Sequence, residues 1–296
     1  TNFSYKNGAY TYFVNDNSRS NDVWCTAAGN DGNLGVSEGS PMASLAALLV
    51  RYELKPGDRV YVDTGTYYFP STPPKLTSLH SGVATNPVWI IGSTNRQAGG
   101  SQFGTNAVSM SLGFDVQAGA AHIVVKDLII NNVNRGVSVI NATNVQLQQV
   151  EVRNAADRAF DIQANTRDID LLRCVAHGGG IGVSLQALAS NVTVRQTLLW
   201  QNRSNAVYAA APASLTVENS ILASTNANAA LYSLASLTNF TADYNGLYAG
   251  PVTRVGVNRT TGARADNLYA WNTLRAGQVA HSIPGSAAGE SRQLRL

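Results

Sequence analysis

The residues in this chain best suited to chemistry lie between positions 153 and 177. Asp157, Asp161, Asp168 and Asp170 alternate there with Arg153, Arg158, Arg167 and Arg173, and His177 follows. Two carboxylates facing one another across a sugar would allow glycoside hydrolysis. A basic side chain, with a cation to neutralise a uronate carboxylate, would allow elimination. Asp161 lies between Phe160 and Ile162, so alternation points it outward when they point in. If the chain is an enzyme, Asp161, His177 and Arg173 are expected to carry the reaction. The competing expectation is that these charges pair across the surface and that His177 is a turn residue.

What must position these residues is a repeat. An apolar–x–apolar–x–x–small–x–apolar pattern starts at Ile123, Val145, Ile169, Val192, Leu215 and, more weakly, Phe240. A near-constant period of this length predicts a solenoid, in which each unit buries its apolar face only by stacking on its neighbours. Each apolar–x–apolar triplet reads as a strand. A second triplet follows in each unit: Val137–Val139, Phe160–Ile162, Val183–Leu185, Val207–Ala209 and Leu231–Ser233. Asn132 and Asn154 fall at equivalent positions, with Gln201 two units on, and are expected to stack their amides along the axis.

Composition agrees with many short turns around a long, thin core. Charged residues are 13% of the 296, and net charge is +3, too small to suggest nucleic acid. No apolar run approaches the roughly 18 residues a membrane helix needs. The chain opens without a methionine or a signal peptide, so it reads as a processed or excised fragment. Cys25 and Cys174 fall several units apart, too far for a disulfide, and both are expected to be free. The Gly-Asn-Asp-Gly-Asn loop at 29–33 offers oxygen ligands of the kind Ca²⁺ takes, but reads better as a turn; no metal site and no cofactor is expected.

The amino-terminal segment reads as a cap. A strand at 10–16 and a polar loop at 17–40 lead to Pro41, which opens a predicted helix from Met42 to Tyr52 with Leu45, Leu48 and Leu49 on its apolar face. Strands at 59–63 and 65–68 follow. Residues 69–85 and 95–107 read as excursions, with strands at Val88–Ile90, Met110–Leu112 and Phe114–Val116. Coils are expected over 86–247 and a carboxy-terminal cap over 248–296, all in one domain.

The run GNDGNLGVSEGSPMASLAALLVRYELKPGDRVYVDTGTYY (29–68) resembles the cap of secreted bacterial β-helix proteins, including relatives of chondroitinase B and alginate lyases. LYAWNTLRAGQVAHSIPG (268–285) resembles the segment that closes such modules. With the strand repeat, these imply a right-handed parallel β-helix of the pectin-lyase-like superfamily: all-β, with a short amino-terminal capping helix. The segment from Ala176 to Gly180 is similar to the Gly-His-Gly of polygalacturonases. It departs from that pattern at Ala176, and no Asp-Asp pair or Arg-x-Lys accompanies it. The lyase relatives place a Lys and an Arg on successive coils; Lys126, Arg153 and Arg173 are the residues here that could match.

One column is unusual. Ile129, Glu151, Val175, Leu198 and Ile221 share an offset that alternation turns outward. Four apolar residues there predict a covered stripe, Ile129, Val175, Leu198 and Ile221 being the interface candidates; a β-arc turning them inward is the alternative. Together these readings favour a non-catalytic extracellular or cell-surface module with a structural, adhesive or assembly role. Its partners would be other surface modules, copies of itself, or an extracellular polysaccharide. The alternative is a polysaccharide-active enzyme, a uronate polysaccharide lyase before a glycoside hydrolase, acting on an acidic glycan along one sheet.

Overall fold

The computed structural model describes residues 8–68, 73–104, 112–211, 213–251 and 253–274, and the strand at 283–284. Three nine-stranded sheets run the length of the solenoid. The first begins at Thr11–Val14 and ends at Phe240–Asp243. The second runs from Lys75–Leu76 to Arg254–Asn258 and closes with an antiparallel edge, Arg264–Ala265. The third runs from Gly65–Tyr68 to Ile283–Pro284. Successive strands of a sheet come from successive coils and pair in parallel, so the chain is an all-β parallel solenoid, with two short α-helices among the described residues.

The repeat positions stack in register. Val145 pairs with Ile123 and Ile169, Val192 with Ile169 and Leu215, and Leu215 with Phe240. These side chains are all buried, in one continuous core cluster. The second triplets stack likewise, with one correction. Val207 pairs with Tyr232 and Ala209 with Leu234, so the fifth unit places Tyr232 and Leu234 in these stacks rather than Leu231 and Ser233, and Leu231 is buried in the core beside them. The longer connection after Ser224 displaces that strand by one residue.

Turns between sheets share a backbone conformation. Asp127, Gln149, Arg173, Gln196, Asn219 and Tyr244 occupy one corner, all with φ between 50° and 58°. Asn132, Asn154 and Gln201 occupy the next corner at φ 54°, 54° and 51°. The left-handed region explains their polar side chains better than stacking does. Asn154 Nδ2 lies 3.5 Å from Asn132 Oδ1, whereas Gln201 pairs with Thr225. Cys25 and Cys174 are both free and buried.

The capping helix α1 spans Leu45–Arg51, starting three residues after the predicted position. Met42 instead bridges to Val14, extending the first sheet at its edge. Ser44 then caps the helix, its side chain accepting from the Ala47 amide at 3.1 Å. Leu45, Leu48 and Leu49 are buried as their spacing predicts. In the 29–33 loop, Asp31 accepts from the Ala43 and Ser44 amides at 2.9 Å each. Two predicted excursions contain strands: Lys75–Leu76 joins the second sheet and Ser101–Gly104 the third. Met110 lies outside the described residues.

At the other end, helix α2 (Leu268–Leu274) lays Trp271 against the last coil. The indole is fully buried and stacks on Tyr232, ring centroids 5.5 Å apart and 5° from parallel. It lies directly over Gly256, where a Cβ would come within 2.1 Å of the ring. Gly256→Val is therefore expected to cost about 3 kcal/mol, read from the urea midpoint, because an overpacked site must shift its backbone. An unchanged midpoint would show that α2 does not seal the core.

Candidate functional site

The outer face of the third sheet gathers most of the chemistry. Two outward columns run along it, parallel to the solenoid axis. One contains Gln102, Ile129, Glu151, Val175, Leu198 and Ile221. The other contains Asn131, Arg153, His177, Trp200, Ala223 and Tyr248. The strands Glu151–Arg153, Val175–His177 and Leu198–Trp200 each bury only their central residue, so these flanking residues alternate outward and do not form an inward arc. Val175, Leu198 and Ile221 are half-buried. Ile129 is buried, and the loop before Ser101 passes close to it, so that a Cβ at Gly100 would lie 3.4 Å from its Cδ1.

That loop forms one wall of a groove of about 460 Å³, lined by Arg96, Gln149, Glu151, Arg153, Arg173 and Val175 among others. Arg96 straps the loop across the sheet. Its Nη2 donates to the Gln149 carbonyl at 2.7 Å, and its Nη1 lies 3.4 Å from Glu151 Oε2. Glu151 is the hub. Its Oε1 accepts from Arg153 Nε at 2.5 Å and faces His177 Nε2 at 3.4 Å. Burial works against the carboxylate charge, but hydrogen bonds from Arg153 and His177 and the charge of Arg96 outweigh it, holding the carboxyl below its ordinary range. The hydrogen bond with Glu151 raises Arg153 further, so this guanidinium stays charged. Next along the column, Trp200 is 47% exposed, its ring centroid 6.0 Å from that of His177.

The structure brings together only part of the predicted catalytic set. His177 stands on this face, and Arg173 stands at the corner beside it, its Nε 3.1 Å from Gln196 Oε1. Asp161 belongs to the second sheet. It does point away from the core between Phe160 and Ile162, yet it is fully buried beneath Arg135 and Arg158, which pair with it at 3.2 and 3.1 Å. The run of four aspartates is thus divided. Asp157 and Asp161 join arginines on the second sheet, whereas Asp170 pairs with Arg195 at 2.6 Å on the first. Lys126, also on the first sheet, is 3.3 Å from Asp127.

Sequence reading missed Arg96 and gave Glu151 and Trp200 no role. Glu151 was legible only as the charged exception in an apolar column. Arg96 had no signal, because its loop meets the site across two coils.

No curated protein matches the chain by sequence. Among solved structures, a rhamnogalacturonan lyase is similar at 15% identity with a TM-score of 0.52, over 83% of this chain and 75% of that one. The pectate lyase Pel9A is similar at 15% identity with a TM-score of 0.60, over 81% of this chain and 64% of that one. At such identity the likeness is one of fold. Residues 84–264 match the family described as right handed beta helix region. The stacked parallel sheets and this match agree: the chain belongs to the right-handed β-helix family, with the pectin-lyase-like architecture.

Proposed function

We propose that this chain engages an acidic polysaccharide along the outer face of its third sheet. The observation that carries the reading is the row Arg153–His177–Trp200 beside the Arg-lined groove. An exposed indole offers a flat apolar face to a sugar ring, and the guanidinium groups offer bidentate donors to its acidic substituents. The half-buried Val175, Leu198 and Ile221 supply an apolar floor parallel to the row. Several coils present these groups at a rise of about 4.8 Å each, which suits an extended chain rather than a small molecule. Lyases of two kinds share the fold, which supports a polysaccharide as the partner. An extracellular or cell-surface setting follows from such a partner; among the described residues no helix is long and apolar enough to cross a membrane.

The test is a binding isotherm with polygalacturonate, alginate and chondroitin sulfate. Trp200→Ala is expected to weaken binding of the preferred polymer about tenfold, equivalent to about 1.4 kcal/mol, and to leave the melting temperature unchanged because the ring is half in solvent. Equal affinity in the variant would move the site elsewhere.

A specific observation favours cleavage as a second reading. His177 Nε2 faces a carboxylate that can orient it, beside arginines able to neutralise a uronate group. Unsaturated product formed by the native chain and lost in His177→Ala would establish elimination. Binding without product would leave a non-catalytic module.

A further inference from the structure

The groove carries an excess of positive charge that one of its own side chains masks. Glu151 meets Arg96 from a loop, Arg153 from its own strand and His177 from the next coil. All four side chains keep contact with solvent, at 20% exposure for Glu151, 35% for Arg96, 36% for Arg153 and 28% for His177. A carboxylate in this position does what an acidic sugar substituent would do: it accepts from several cationic donors at once. Arg173, on the same groove, differs. It is exposed, its hydrogen-bond partner is the neutral Gln196, and no ion pair to it occurs among the described residues. The anion path therefore begins at an unmasked arginine and ends at masked ones.

We propose that Glu151 is a built-in competitor for the anionic group this groove takes, which enters at Arg173 and displaces Glu151 from Arg153. The inference rests on the polysaccharide reading above and adds to it the residues that select charge. With Glu151 seated, the arginines are pre-oriented and weakly attractive to neutral or poorly matched chains. With Glu151 displaced, Arg153 and Arg173 face one acidic substituent from adjacent coils, since Arg173 precedes the strand that pairs with Glu151–Arg153. Carboxylate and sulfate share the chemistry that would be recognised, a planar or tetrahedral array of anionic oxygens.

The direct experiment compares the native chain with Glu151→Gln and Arg173→Gln. Glutamine at 151 keeps the shape and an acceptor oxygen while removing the charge. Glutamine at 173 is safe for the fold, because Gln149 and Gln196 occupy that corner in the coils on either side, at φ 54° and 52° against 53° for Arg173. Binding is measured to polygalacturonate, dextran sulfate and neutral dextran over a range of salt. Glu151→Gln is expected to bind the anionic polymer about tenfold more tightly with a steeper salt dependence, and Arg173→Gln about tenfold more weakly with a shallower one. A gain confined to polygalacturonate assigns the groove to carboxylates; one confined to dextran sulfate assigns it to sulfate esters. Native binding with no gain in Glu151→Gln overturns the competitor and leaves the polysaccharide reading standing. An equal gain on neutral dextran also overturns it, because charge would not be the cause. If neither the native chain nor Glu151→Gln binds any of the three polymers, both readings fall.

Discussion

Replacing Leu147 with aspartate is expected to leave no folded protein. Leu147 is fully buried and stacks in register between Val125 and Leu171, with coils on both sides of it. A carboxylate there has no cationic or hydrogen-bonding partner within the apolar column. Burying an unpaired charge costs more than the roughly 5–15 kcal/mol by which a domain is stable. Rotation outward is not an escape, because the outward positions on either side are already held by Gln146 and Gln148 of the same strand. The solenoid also gives the break no detour: each coil buries its face on its neighbours, so a failed middle coil exposes two open edges. Expression should yield aggregated material without a cooperative transition, whereas Leu147→Val should fold with a loss of about 1 kcal/mol. A soluble Leu147→Asp chain with a native melting curve would contradict the stacked core.

The second large effect is expected at Asp63. Its side chain is fully buried at the start of the solenoid. Oδ1 accepts from the amides of Val23 and Thr64, both at 2.7 Å, and Oδ2 from Trp24 and Cys25 at 2.8 and 2.6 Å. One carboxylate thus holds three consecutive amides of the long polar loop against the first sheet. Asp63→Ala leaves four donors without that acceptor. Hydrogen bonds to a charged group contribute about 1.5–3 kcal/mol each, and the loop amides can regain water by peeling away, so a net loss of about 4 kcal/mol is expected. The loop should then become open to proteolysis between residues 17 and 28 before global unfolding. Asp63→Asn should fall between the two, since it keeps one carbonyl acceptor but turns amide donors toward the loop's own. A variant as stable and as protease-resistant as the native chain would show that the loop is held by its other contacts.

Much of the fold was legible because it is written in short-range order. Alternation fixes which side chains of a strand share a face, and a repeat near 23 residues leaves stacking as the only way to bury them all. Leu45, Leu48 and Leu49 marked the face of the capping helix for the same reason. The errors fell where local order does not decide. Helix α1 starts late because Met42 finds a partner in Val14, a contact 28 positions away that no propensity encodes. Tyr232 rather than Leu231 stacks on Val207 because register is set by the neighbouring coil and by the length of the connection before it.

The candidate site divides along the same line. A constant repeat places equal offsets above one another, so Glu151, Val175, Leu198 and Ile221 share one column from the sequence alone; that the column faces outward and not inward as an arc came from the folded strands. The sequence also placed His177 and Arg173 close together, on and beside one strand. That Asp161 lies on another sheet, fully covered by Arg135 and Arg158, came from the three-dimensional fold. Nearness along the chain is a poor guide here, because each coil turns through three sheets that face in different directions. Nearness across coils builds the site instead: Arg96 reaches Glu151 from 55 positions away, and Trp200 joins His177 from the coil beyond. The physical reason is the stacking itself, which aligns residues one repeat apart while corners at left-handed φ send adjacent residues to separate faces.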